Sequence, residues 1–245
     1  MTGYGGAARA GSSDGDDRVL VVDRVVEKSC EVRELVLVDP AGESLDPYQP
    51  GSSVTVTCGA GADGRARRNP YALTGAGAAP GDYSISVRLD PAGRGGSAWL
   101  HSLEPGSRVT VGRPVAGFAP VPTARHHLFV AGGIGVAPVL SHARAAAQSA
   151  RSFGVLYGYR RQFGAHLDEL SDACGDRLSA HRTRVGLLDS VRTALVEQPM
   201  GAHLYVCGPP PMAHTVVEMA RVSGWPTERI HVERFTHADP LAVSA

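Results

Sequence analysis

Over residues 18–121 the apolar positions fall in short β-branched runs, at 19–26, 32–38, 54–58, 83–89 and 108–111, each cut off by turn residues. Runs of that length, with turns at Asp39-Pro40-Ala41-Gly42, Gln49-Pro50-Gly51 and Glu104-Pro105-Gly106, predict a small antiparallel barrel or sandwich. One helix, near 97–103, interrupts it. Beyond Pro122 the rhythm changes to strands at 127–131, 153–157, 177–181, 204–207 and 230–235, alternating with helical stretches at 139–150, 165–173, 187–197 and 212–222. Strands alternating with helices imply parallel pairing with helices on both faces, a doubly wound α/β sheet. The expected class is therefore β plus α/β: an antiparallel β-barrel over 18–121, then a parallel α/β domain over 122–245, with the proline-rich stretch 114–122 as boundary.

Composition narrows the picture. The formal net charge of the 245 residues is zero, which gives no electrostatic case for nucleic acid or an anionic membrane as partner. Residues 1–17 are rich in Gly, Ala, Ser and Asp without an apolar core, so a disordered lead-in is expected there and no signal peptide. Cys30, Cys58, Cys174 and Cys207 lie far apart and form no C-x-x-C pair. They read as reduced thiols of a cytoplasmic protein, and no zinc or iron–sulfur site is expected from them. His126 and His127 are adjacent, so on a strand their side chains point apart and no metal site is read there.

The candidate chemistry lies at strand ends. Ala131-Gly132-Gly133-Ile134-Gly135-Val136 follows an apolar run and opens a helical stretch, and a glycine turn before a helix N-terminus leaves backbone N–H groups for a phosphate. A second turn, Cys207-Gly208-Pro209-Pro210-Pro211-Met212, follows another strand. In a doubly wound sheet both fall outside the carboxyl ends of the strands and converge on one crevice.

Five motifs together resemble the ferredoxin-NADP reductase superfamily, and within it the phthalate dioxygenase reductase branch of FMN-containing oxygenase reductases. They are Tyr48-Gln49-Pro50-Gly51, Arg68-Asn69-Pro70-Tyr71-Ala72-Leu73-Thr74, Gly93-Arg94-Gly95-Gly96-Ser97-Ala98, the two α/β turns, and His231-Val232-Glu233-Arg234-Phe235. The resemblance implies a flavin on the barrel, with an arginine at its phosphate, Tyr71 against its ring system, and Ala72, Leu73 and Arg88 among the binding residues. Alternation puts Arg67 on the face of Tyr71, and Arg68 joins it only if Pro70 sits in a bulge; Arg68 is favoured, with Arg67 as substitute. Gly95, Gly96 and Ser97 would hold the phosphate, with Ser97 capping the short helix, which favours FMN over FAD.

The resemblance assigns Gly132, Gly133, Gly135, Val136, Gly208 and Pro209 to the nicotinamide coenzyme. It places Cys207 near the reacting carbon and Phe235 over the flavin, and alternation puts His231, Glu233 and Phe235 on one face, so that Glu233 reaches the same cleft. Arg160 and Arg161, at the end of the second α/β strand, tilt the coenzyme towards NADPH while NADH stays open.

Reductases of this branch usually carry a plant-type ferredoxin domain, whose C-x4-C-x2-C run is absent here. Electrons would pass to a separate ferredoxin or a terminal oxygenase, or a ferredoxin segment lies outside this sequence. The rival readings are a free-standing flavin, ferric or quinone reductase, and a flavin-binding regulatory module without turnover, the latter suggested by Ala72 and Ala137 where hydroxylated residues are usual.

Overall fold

In the computed structural model the described residues are 17–59, 66–160, 162–197 and 199–233. The first lobe contains β1 (Arg18–Ser29), β2 (Val32–Val38), β3 (Ser53–Cys58), β4 (Arg67–Ala72), β5 (Tyr83–Arg88), the short helix α1 (Gly96–His101) and β6 (Arg108–Val111). Its strands form one antiparallel sheet in the order β4-β3-β6-β1-β2-β5. An isolated antiparallel bridge between Leu73 and Ile85 brings the two edges together and closes the barrel. Inward-facing Leu20, Val22, Leu35, Leu37, Val54, Val56, Leu73, Ile85, Val87 and Leu100 fill it.

β4 was not among the predicted runs, because Arg67, Arg68, Asn69 and Pro70 offer no apolar stripe. It is a strand because β3 supplies a continuous ladder, from Ser53 opposite Ala72 to Cys58 opposite Arg67. Pro70 is tolerated because β4 lies at the edge of the hydrogen-bonded order.

The second lobe contains β7 (His126–Gly132), α2 (Val136–Gln148), β8 (Phe153–Gly158), α3 (Leu167–Cys174), β9 (Leu178–His181), α4 (Arg184–Val196), β10 (Ala202–Cys207), α5 (Pro210–Val222) and β11 (Ile230–Glu233). All pairings are parallel, in the order β11-β10-β7-β8-β9. Successive side chains of β7 serve opposite cores: Phe129 and Ala131 pack towards α2 and α3, Leu128 and Val130 towards α4 and α5. That two-sided burial is why the strand reads as a continuous apolar run. α2 begins earlier than its predicted start at 139, because a 3-10 turn over Gly133–Gly135 leads straight into it and Pro138 fits the first helical turn, where no N–H partner is needed. Among the described residues, no helix is long and apolar enough to cross a membrane.

Polar contacts fasten the lobes together. Ser141 Oγ donates to the carbonyl of Gly75 (2.6 Å) and accepts from the backbone N–H of Gly51 (3.3 Å), and Arg144 donates to the carbonyl of Thr74 (2.9 Å). Lys28 lies between Glu34 (2.9 Å) and Glu169 (2.6 Å), joining the barrel to α3.

Candidate functional site

Among the cavities that the described residues wall between the lobes, two lie at the predicted turns. One, of about 420 Å³, is walled by β4 (Arg67, Asn69, Pro70, Tyr71, Ala72), by Ser86, Arg88 and Asp90, by the turn into α1 (Gly93, Arg94, Gly96, Ser97), and by Ile134 and Ala137 of the second lobe. The other, of about 410 Å³, lies outside the carboxyl ends of the parallel strands and is walled by Gly132, Gly133, Gly158, Pro209 and Met212, with Arg160, Arg182 and Arg184 at its rim. Arg88 and Ile134 belong to both walls.

The register of β4 decides which arginine enters the first cavity. The ladder to β3 runs without a bulge at Pro70, so strict alternation holds: Arg67, Asn69 and Tyr71 share a face, and Arg68 points away. Arg68 instead makes two bonds to the carboxylate of Asp17, at 2.9 and 3.1 Å. The favoured candidate Arg68 therefore gives way to Arg67. Tyr71 is half-buried, and burial holds its phenol well above the usual range, so it stays neutral.

At the turn into α1, Gly95 takes a left-handed φ of 93° as the residue preceding the helix. A Cβ on Gly96 would lie 2.3 Å from Asn69 Nδ2, so a larger residue in this turn would push the Asn69 amide aside. Ser97 does not cap the helix as expected; its Oγ accepts from the backbone N–H of Asp90 (3.0 Å) and so ties down the loop ahead of it. Arginine side chains, a glycine-rich turn, an aromatic ring and apolar Ile134 and Ala137 line one cavity, a combination that fits a planar ring system carrying a phosphate.

The two α/β turns do converge, and they do so by touching. A Cβ on Gly135 would lie 2.2 Å from the carbonyl oxygen of Cys207 and 2.8 Å from the nitrogen of Gly208. Gly132, Gly133 and Pro209 border the second cavity, whereas Gly135 is consumed in this backbone contact and Val136 is fully buried in the core beside α2. Leu73 likewise contributes its side chain to the barrel core.

Cys207 was expected near the reacting carbon, but it is fully buried at the end of β10 and lines neither cavity. Burial, with the charge of Glu233 beside it, pushes its thiol far up, so it stays protonated. Glu233 pairs with it across the ladder and is itself raised by burial. Phe235 and Arg161 lie outside the described residues.

Sequence reasoning missed Ser86, Ile134, Arg182 and Arg184. The arginines follow a strand end, a position that in this architecture faces the crevice and could have flagged them. Glu34, His166 and Glu169 cluster closely enough to suggest a cation site, but the ammonium of Lys28 already stands between the two carboxylates.

Comparison with known proteins places this geometry. The family described as dimethylamine monooxygenase subunit DmmA-like, N-terminal domain, matches residues 112–230. The β subunit of heme-dependent oxidative N-demethylase from Ectopseudomonas mendocina is 35% identical over 71% of this chain and 57% of its own length. The carnitine monooxygenase reductase subunit of Escherichia coli K12 is 31% identical over 89% of this chain and 68% of its own. The chain thus spans about three fifths to two thirds of these curated relatives. A solved phthalate dioxygenase reductase, described as a modular structure for electron transfer from pyridine nucleotides to [2Fe-2S], superposes with a TM-score of 0.80 at 29% identity, over 90% of this chain and 68% of that one. Sequence likeness across nearly the whole chain and a shared architecture agree: the chain belongs to the ferredoxin reductase-like family of flavin- and nicotinamide-using reductases, alongside the phthalate dioxygenase reductase branch.

Proposed function

We propose that this chain is the reductase component of an oxygenase system, carrying electrons from a nicotinamide coenzyme through FMN to a separate ferredoxin or to the oxygenase itself. The observation that carries the reading is the shared wall: a cavity suited to a flavin and a cavity suited to a dinucleotide meet at Arg88 and Ile134. A bound flavin supplies the ability to accept electrons in pairs and release them singly. The protein supplies alignment. Tyr71 and Ile134 border the flavin cavity, and Arg67 and the Gly93 to Ser97 turn meet a terminal phosphate. FMN is favoured because that arginine and glycine end suits a terminal phosphate.

The test is the visible spectrum and the identity of the released flavin. Purified protein should be yellow, bleach on addition of reduced coenzyme under anaerobic conditions, and release FMN on heating. Arg67→Ala should weaken FMN binding by roughly 10- to 100-fold, the loss expected for one charge-assisted contact. Arg68→Ala should leave it unchanged, its guanidinium being engaged by Asp17. A colourless protein that takes up no flavin ends the reading, and released FAD ends the assignment of the phosphate turn.

For the coenzyme, we favour NADPH. Arg160, Arg182 and Arg184 bring three exposed guanidinium groups to the rim of the second cavity, suited to an additional phosphate. Arg182→Ala and Arg184→Ala should each lower the NADPH to NADH ratio of kcat/KM by about tenfold. A wild type that prefers NADH contradicts this assignment.

A further inference from the structure

Ser86 of β5 sits on the wall of the flavin cavity. The Leu73–Ile85 bridge is antiparallel, so the same register sets Ser86 opposite Ala72 across the seam that closes the barrel. Its hydroxyl donates to His166 Nε2 at 2.6 Å, and His166 Nδ1 donates to Glu169 Oε2 at 2.8 Å. The imidazole is fully buried, while the Glu169 side chain is 24% exposed and so meets solvent. A continuous hydrogen-bonded line therefore runs from the cavity wall, through the seam between the lobes, to the surface. Two further features suit it to carry a proton. His166 is held at a left-handed φ of 59° immediately before α3, a conformation uncommon among non-glycine residues. Lys28, Arg144 and Glu34 surround Glu169; burial opposes its ionisation, but the hydrogen bonds from His166 and Lys28 outweigh that and hold its carboxyl down to about 2, keeping it an acceptor at neutral pH.

The proposed reaction needs such a line. One reduced coenzyme delivers two electrons and one proton to the cavity, and two one-electron acceptors remove only the electrons. One proton per coenzyme must leave.

We propose that Ser86, His166 and Glu169 form the exit relay for that proton, a reading that rests on the flavin assignment above. The oxygen of Ser86 accepts the departing proton from the cavity while its own passes to His166 Nε2. The Nδ1 proton passes to Glu169, which returns it to water, so one proton enters the line and one leaves. Ser86 ends the line at the cavity, and His166 acts through it.

The test follows electron loss and proton release together. Protein with flavin bound is reduced by one equivalent of NADPH without oxygen, then mixed with ferricyanide in weak buffer, and flavin absorbance and a pH-indicator dye are recorded. Oxidised flavin keeps no transferred proton at neutral pH, so a blocked relay slows reoxidation and proton release alike. In His166→Gly, which suits the left-handed backbone, both should slow by roughly 100-fold, and added imidazole should restore both. Ser86→Ala, which removes a single oxygen, should show the same slowing without rescue, and it decides the matter if the glycine variant does not fold. Wild-type rates in variants that retain flavin overturn the relay alone, whereas a wild type that binds no flavin overturns the relay and the proposed function together.

Discussion

Gly135→Ala should lower the stability of the second lobe by roughly 3 kcal/mol and its Tm by roughly 10 °C, with a parallel loss of coenzyme binding. The backbone at Gly135, φ −60° and ψ −6°, suits any residue, so the cost is purely steric. The added methyl would meet the carbonyl carbon and oxygen of Cys207 at 2.5 and 2.2 Å and the nitrogen of Gly208 at 2.8 Å. All three are backbone atoms at a strand end, and none can rotate aside. α2 must then move off the end of β10, and the border of the second cavity moves with it. Gly133→Ala is the control: its Cβ would meet nothing within 4 Å, and only its φ of 54° resists substitution, a cost of about 1 kcal/mol. Melting curves of the two variants check the ranking, and equal losses would contradict the contact.

Lys28→Met should cost about 3 kcal/mol at neutral pH, because it leaves Glu34 and Glu169 facing one another across the seam without the ammonium between them. Arg144, 3.5 Å from Glu169, keeps the loss at the lower end of that class. The pH dependence follows from the shifts. Burial works against the charge of Lys28, but the two carboxylates overcome it and raise its value above 10.5, so its contribution is fully present below that and fades as pH climbs through the raised value. Glu169 is depressed from 4.5 to about 2, so its contribution is present above 4.5 and is lost as pH falls towards 2. Wild type and Lys28→Met should therefore differ most between those limits, and their denaturation midpoints should converge on acidification. A constant gap down to pH 2 would show that the pair contributes packing and not charge.

How much of this could be read from residues alone varied with the kind of interaction. Apolar alternation located β2 and β6 to the residue, since Leu35 and Leu37 of β2 and Val109 and Val111 of β6 bury in the barrel core. It failed at β4, whose strand character comes from its neighbour. The same strand held the key ambiguity. Alternation pointed to Arg67, the expected bulge at Pro70 pointed to Arg68, and the unbroken ladder removed the bulge. The glycine turns were legible as turns, but glycines bordering open space could not be told from Gly135, because the carbonyl it touches is 72 residues away in sequence (207 − 135). The line from Ser86 through His166 left no sequence signal at all: its first two members are 80 positions apart and meet only once the lobes have closed on each other.

The partition between the two cavities consists of Ile134 and Arg88, side chains that belong to both. A side chain has one rotamer at a time. Whatever rotamer a guest on one side selects, the guest on the other side inherits, so the two affinities are thermodynamically linked and the linkage is equal in both directions. The order of loading then alters the route and leaves the sum unchanged.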